Sequence, residues 1–321
     1  MAYSIGGLIQ ATDYNGFVST TVGANVNATW STGTTDAGYG QSALATVSAQ
    51  GTVTATQWAS LVNTIAAMAN HQGTTITARV APTTGNLIQV LSNVNTDIAS
   101  CYNNRGNAAA SGAQFTTISG TNSKTTITSG ATWTITFTNT ITFASADAAR
   151  YFWNAGGLIK IDVSKTATGE TGDPEWNDLA NVLCGDIWIS GRVAGGAQTI
   201  GGVTYTGTTK IGGTGTPATL TTTTGWYQLT TTDTIIYKQF ADTAPYTSNF
   251  IQHSARTAGA GTQLVITTVW SASDGDPISG GTASSGATPG TAPTTIVTYY
   301  PPSTTYLTQT WGSPTITATT V

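Results

Sequence analysis

Trp133, Ile135 and Phe137 alternate with threonines, and Ile141 and Phe143 repeat that period of two beyond a turn expected at Asn139. A period of two sets apolar side chains on one face of a sheet and threonines on the other. Thr is β-branched and suits a half-exposed strand. Strand-like segments recur down the chain, at 198–206, 217–229, 234–240, 246–256, 263–271, 294–300 and 304–309, separated by Gly, Pro and Asp. Short strands at such regular spacing predict an antiparallel β-sandwich or jelly-roll-like domain. The span 113–321 is therefore expected to be β-rich, in a chain of α+β class that is mainly β.

Residues 1–112 read differently. The first stretch, to about residue 50, is rich in Gly, Thr and Ala with scattered aromatics and weak periodicity, so it is expected to form extended segments that need a neighbour to fix them. A helix follows. Thr54 and Gln57 have capping-box spacing, Val53 and Trp58 have hydrophobic-staple spacing, and Gly73 is a stop. Its apolar face is Trp58, Leu61, Val62, Ile65, Met68 and Ala69. Residues 74–83 are expected to be a short strand or an extended link. A second helix is expected over 86–103, with Leu87, Leu91, Val94, Ile98 and Cys101 spaced 4, 3, 4, 3. That is the spacing of a coiled-coil seam between subunits. The alternative is an antiparallel helix pair within one subunit. The whole region, 1–112, is expected to serve attachment and oligomerisation.

Composition enters where it excludes functions. Charged residues make up 7% of the chain, against about 25% in ordinary globular proteins. Nine Trp and 12 Tyr argue against disorder. The net charge of −4, with the acidic excess after residue 144, gives no electrostatic case for binding nucleic acid. No apolar run is long enough to span a membrane, and the N-terminus has no signal-peptide pattern. Cys101 and Cys184 sit in no metal or redox spacing, and are expected to be buried thiols of a protein made in a reducing cytoplasm.

The densest aromatic stretch is Arg150-Tyr151-Phe152-Trp153, followed by Asn154-Ala155-Gly156-Gly157. Ser145 is its expected cap and Gly156 its stop, and the strand Leu158–Val163 follows at once. Three consecutive aromatics splay around a helix and cannot all face one core. The stretch is therefore expected to be a packing knot that meets another layer or another subunit. A further helix is expected to start at Asp173-Pro174-Glu175-Trp176, with Trp176, Leu179, Val182 and Leu183 inward and Gly185 as its end.

Catalytic chemistry is poorly supplied. His71 and His253 read as structural, and neither a Gly-x-Ser-x-Gly elbow nor a zinc-binding helix motif is present. The carboxylates at Glu170, Asp173, Glu175 and Asp178 have the residue type for glycoside hydrolysis, but Asp173, Glu175 and Asp178 are fully explained as helix cap and helix start. Ser273-Asp274-Gly275-Asp276 offers oxygens to Ca²⁺, with an ordinary turn as the alternative. Gly212, Gly213 and Gly215 read as a turn. Trp226, Tyr227 and Trp311 have ring faces that would stack on sugars, and core or interface positions are the alternative. No cofactor is expected.

The segment Ala148–Gly157 with its following strand, the Trp-containing helix at 173–179, Trp226-Tyr227-Gln228-Leu229-Thr230 with Ile236-Tyr237, and Tyr246-Thr247-Ser248-Asn249-Phe250-Ile251 occur in that order over about residues 145–271. In this they resemble a tail-fibre-like family of virion structural proteins from tailed phages, notably phages of marine bacteria and cyanobacteria. The resemblance implies a non-enzymatic virion component, made in the host cytoplasm and released by lysis, such as a tail or neck fibre or spike. It implies other virion proteins as partners, and a homotrimer is expected because fibres of this kind commonly are trimers. A receptor-recognition protein for host surface polysaccharide and a capsid decoration protein are the alternatives.

Overall fold

A computed structural model describes residues 10–19, 24–85, 93–109, 118–124, 132–166, 173–191, 196–272 and 293–321. Four helices lead: α1 (Ala11–Val18), α2 (Val26–Trp30), α3 (Ala55–Gln72) and α4 (Val94–Asn103). Next come β1 (Ile118–Ser123), β2 (Trp133–Thr142), α5 (Ala146–Asn154), β3 (Leu158–Ser164), α6 (Asp173–Asp178) and β4 (Asp186–Ile189). The remainder is β5 (Gln198–Ile200), β6 (Val203–Tyr205), β7 (Thr208–Ile211), β8 (Thr219–Leu220), β9 (Thr234–Phe240), β10 (Phe250–Ala258), β11 (Gln263–Ala272), β12 (Thr294–Tyr300) and β13 (Thr315–Thr320). The chain is α+β and mainly β.

One sheet runs β1-β12-β3-β4-β7, a second runs β13-β2-β11-β10-β9-β8, and β5-β6 form a hairpin. The ladders are antiparallel. The chain changes sheet between β1 and β2, β2 and β3, β7 and β8, β11 and β12, and β12 and β13. The sheets touch where the Trp270 indole N–H reaches Thr295 Oγ1 at 3.5 Å, and where the Asn122 amide donates to Thr138 O at 3.2 Å. Burial alternates along β2, with Ile135, Phe137 and Ile141 inward between threonines. The turn expected at Asn139 is absent. The period of two continues through it, and Asn139 faces inward opposite Ile266 of β11.

α3, the helix expected from Thr54 to Gly73, meets its expectation in detail. Thr54 Oγ1 accepts from Gln57 N at 3.2 Å, Gln57 Oε1 accepts from Thr54 N at 2.9 Å, and Gly73 ends the helix at φ 70°. Its apolar face is buried in a hydrophobic cluster that also contains Ile161, Ile187 and Trp270 of the sheets. One core thus runs from the N-terminal helices into both sheets. Burying each such Leu, Ile or Phe contributes about 1.5–3 kcal/mol.

The expectation of extended segments alone in the first fifty residues, and of two helices in 1–112, needs correction: α1 and α2 form there, α2 capped by the Asn25 side chain accepting from Ala28 N at 2.9 Å. The extended segments beside them are fixed by side-chain amides that mimic a strand neighbour. Asn15 Oδ1 accepts from Val47 N at 2.8 Å while its NH₂ donates to Val47 O at 2.7 Å. Asn27 does the same to Leu44, and Gln41 does it to Thr308. Each amide satisfies one donor and one acceptor that the missing ladder would leave unpaired. The strand expected at 304–309 does not form, and Gln41 meets the backbone of Thr308 within it. That stretch is irregular, pushes Leu307 and Trp311 into the core, and leaves the pairing with β2 to β13. Within 217–229 a two-residue strand and a 3₁₀ turn, Trp226–Gln228, replace the expected long strand. Segment 74–83 is an extended link, held by Thr77 N on the Asp97 carboxylate and by an Arg79–Asp97 ion pair.

The α4 seam needs correction. Leu87 and Leu91 lie outside the described residues. Val94, Ile98 and Cys101 are buried in the chain's own core, so the three described seam residues turn inward rather than toward a second subunit. The expected helix at 173–184 is also modified. α6 passes into a π-helical turn, Leu179–Cys184, before Gly185. The wider i→i+5 turn keeps Trp176, Leu179 and Leu183 inward but rotates Val182 out to 45% exposure. Among the described residues no helix is long and apolar enough to cross a membrane.

Candidate functional site

α5 gathers the residues singled out by sequence. Ser145 Oγ accepts from Ala148 N at 3.0 Å and starts the helix. Gly156, at φ 88°, ends it, and a Cβ on Gly157 would lie 2.6 Å from the Phe152 ring. The glycine pair therefore lets β3 leave directly beneath the aromatics.

The three aromatics splay as expected. Phe152 and Trp153 are fully buried, with ring centroids 4.9 Å apart and edge-on. Phe152 meets Phe143 at 5.3 Å and Tyr299 of β12 at 6.0 Å, and Trp153 stacks on Trp226 at 5.5 Å and 19°. Tyr151 faces the other way, against Gly40, where a Cβ would come within 2.5 Å of its ring. The second layer that the knot meets is the N-terminal region of the same chain.

Polar groups tie the same two regions. Arg150 Nη1 donates to Ala37 O at 2.9 Å and Nη2 pairs with Asp147 at 2.9 Å, while the guanidinium lies 5.0 Å from the Tyr151 ring centre. Asn154 Nδ2 donates to Gly38 O at 3.0 Å, and Tyr227 OH donates to Asn154 Oδ1 at 2.6 Å. Burial pushes the Tyr227 hydroxyl well above its usual range, so it stays a neutral donor. His71 Nε2 meets Ala155 O at 3.1 Å, which makes Nε2 the protonated nitrogen.

The sugar-stacking expectation for Trp226 and Trp311 is corrected by burial. Trp311 is 0% exposed and Trp226 is 7% exposed, so neither ring offers a face to a glycan. Tyr227 is half-buried with its hydroxyl engaged by Asn154. The two histidines are enclosed as well. Burial lowers His71 to about 4 and His253 to about 3, so both are neutral at pH 7. His253 stacks on Tyr237 at 5.4 Å and bonds Thr268 Oγ1 at 2.9 Å. Both cysteines are free, buried and raised to about 12 by burial, which removes thiolate reactivity.

The carboxylates regroup. Glu170 and the Ser273–Asp276 loop lie outside the described residues. Glu175 and Asp178 of α6 are joined by Asp242, from the turn after β9, and the three offer oxygens within 4.8 Å of one another. No local spacing in the sequence links Asp242 to α6. Gly212 and Gly213 form a turn at φ 73° and 63°, as read from sequence.

Compared with known proteins, the chain matches no family model, no curated protein and no solved structure.

Proposed function

We propose that the chain is a non-enzymatic structural component of a tailed bacteriophage virion, a tail or neck fibre or spike-like protein. Its N-terminal part docks on other virion proteins, its β-rich part projects outward, and its copies assemble as a homotrimer. The observation that supports this most is the junction at α5. There Arg150, Asn154, Tyr227 and His71 tie the N-terminal region to the sheets through paired hydrogen bonds around a packed aromatic cluster. Force applied at one end of such a body passes to the other without a loose joint, which suits a load-bearing particle component. The enclosure of both histidines and both cysteines in uncharged forms favours the same reading. A chain with 7% charged residues sets up little repulsion between copies. In this reading the trimer contact lies on surfaces other than Val94 and Ile98.

Antibody-labelled imaging of purified particles of the phage that encodes the chain tests the reading. Label on the tail or neck is the expected outcome, and absence of the chain from washed particles overturns it. The mass of the purified chain in solution is expected to be three times that of one copy. A monomer at micromolar concentration overturns the trimer while leaving the particle assignment to the imaging.

A further inference from the structure

We propose that Glu175, Asp178 and Asp242 form a binding site for a divalent, oxygen-seeking cation of the Ca²⁺ type, which staples α6 to the turn after β9. Two observations carry this independently of the virion reading. The first is convergence: Glu175 and Asp178 are three apart on α6 and share its face, and Asp242 arrives from the other sheet, so that all three place an oxygen within 4.8 Å of the others. The second is an unmet demand. Glu175 is 8% exposed, and its Oε1 is enclosed with no hydrogen-bond partner. Among the described residues no ion pair involves any of the three acids.

Burial raises the Glu175 carboxyl above its usual range, Asp178 and Asp242 raise it further, and the Thr243 amide and hydroxyl act against that rise. Among the described residues no basic side chain offsets the two acids. Like charges gathered around an enclosed carboxylate are costly unless a cation joins them.

The donor set is all oxygen, which selects hard cations over zinc. Ligands on opposite sides of Ca²⁺ stand about 4.6–5.2 Å apart, and on Mg²⁺ about 4.0–4.2 Å. Three oxygens within 4.8 Å of one another leave room for either ion, and Ca²⁺ is favoured because it accepts an irregular, partly hydrated shell whereas Mg²⁺ demands near-ideal octahedral geometry. Asp242 is exposed and Asp178 half-exposed, so water has access to complete the coordination shell. α6 lies between β3 and β4 of one sheet and Asp242 follows β9 of the other, so the ion would join the two sheets at this end.

The test uses the full chain, stripped with chelator and titrated with CaCl₂ alone, read by calorimetry and by thermal unfolding. One site with a Kd of about 10⁻⁴–10⁻³ M and a Ca²⁺-dependent rise in Tm are expected. Asp242→Asn, at an exposed position, should weaken binding at least about tenfold while leaving the chelated protein no less stable than before, because it removes a like charge beside Glu175. Asp274→Asn with Asp276→Asn should leave the response unchanged. Absence of heat and of any Tm rise at about 10 mM Ca²⁺ overturns the proposal. So does a Ca²⁺ response that survives Asp242→Asn. A stronger response to Mg²⁺ than to Ca²⁺ overturns the calcium assignment.

Discussion

α5 and α6 hand over to neighbouring strands of one sheet by the same means. Each is short, and each chain path reaches its strand through a glycine at positive φ, Gly156 at 88° and Gly185 at 70°. Each also drives a tryptophan into the core, where Trp153 stacks on Trp226 at 5.5 Å and Trp176 stacks on Trp270 at 5.8 Å. The polar groups differ. At α5 the guanidinium of Arg150 and the amide of Asn154 are paired. At α6 a nearly enclosed carboxylate has an oxygen without a partner and two further acids beside it. Equal packing with unequal charge satisfaction separates a structural knot from a site that calls for a ligand.

The largest expected effects test the shared half of this comparison. Trp153→Ala and Trp176→Ala should each cost about 3–5 kcal/mol in urea denaturation, because each removes a fully enclosed indole. A cost below about 1 kcal/mol at either position would break the claim of equal packing.

Acid should then move the two helices in opposite directions. Burial depresses His71 from 6.5 to about 4 in the folded chain. Its neutral form contributes stability that is complete above the unfolded value and is lost as pH falls through about 4. Glu175 has the opposite sign. Its folded carboxyl is raised, so its charged form costs stability at neutral pH, and protonation on acidification relieves that cost. Hydrogen exchange in chelator, compared between about pH 7 and about pH 5, should show protection falling near Ala155 by on the order of 1–2 kcal/mol and moving in the opposite direction in α6. A uniform change across both helices would remove the electrostatic distinction.

The smallest effects are single polar deletions. Asn154→Ala strands Gly38 O and removes the shortest of the Tyr227 hydroxyl's acceptor contacts, and should cost about 1–3 kcal/mol. Glu175→Gln in chelator should instead be neutral or stabilising by about 1 kcal/mol, because it removes an unpaired buried charge. Equal losses at both positions, measured by urea denaturation, would erase the contrast.

Much of α3, α5 and β2 was legible because their signals are local. A cap lies three residues from its partner, a helical face repeats within two turns, and a strand face repeats every second residue. Asn139 was misread as a turn because Asn favours turns, while the β11 ladder overrode that preference. The seam at Val94 and Ile98 was misassigned for another reason. Heptad spacing states that a face is apolar, and it does not state whether the cover is a second subunit or the chain's own helices. Trp226 and Trp311 carried the same ambiguity, since a ring that suits a sugar also suits a core.

Local pattern alone set where α3 and α5 begin and end, which faces of β2 and α3 are apolar, and that the chain is mainly β, while α1 and α2, with weak periodicity, stayed hidden. Nearest-neighbour energetics are enough for that. Only the tertiary structure decided which apolar faces cover one another, that Gln41 replaces a strand for Thr308, and that Asp242 joins Glu175 and Asp178. These are contacts between segments far apart in the chain. They form only when the two sheets and the N-terminal helices close on a common core, and no residue's spacing from its own neighbours carries that information.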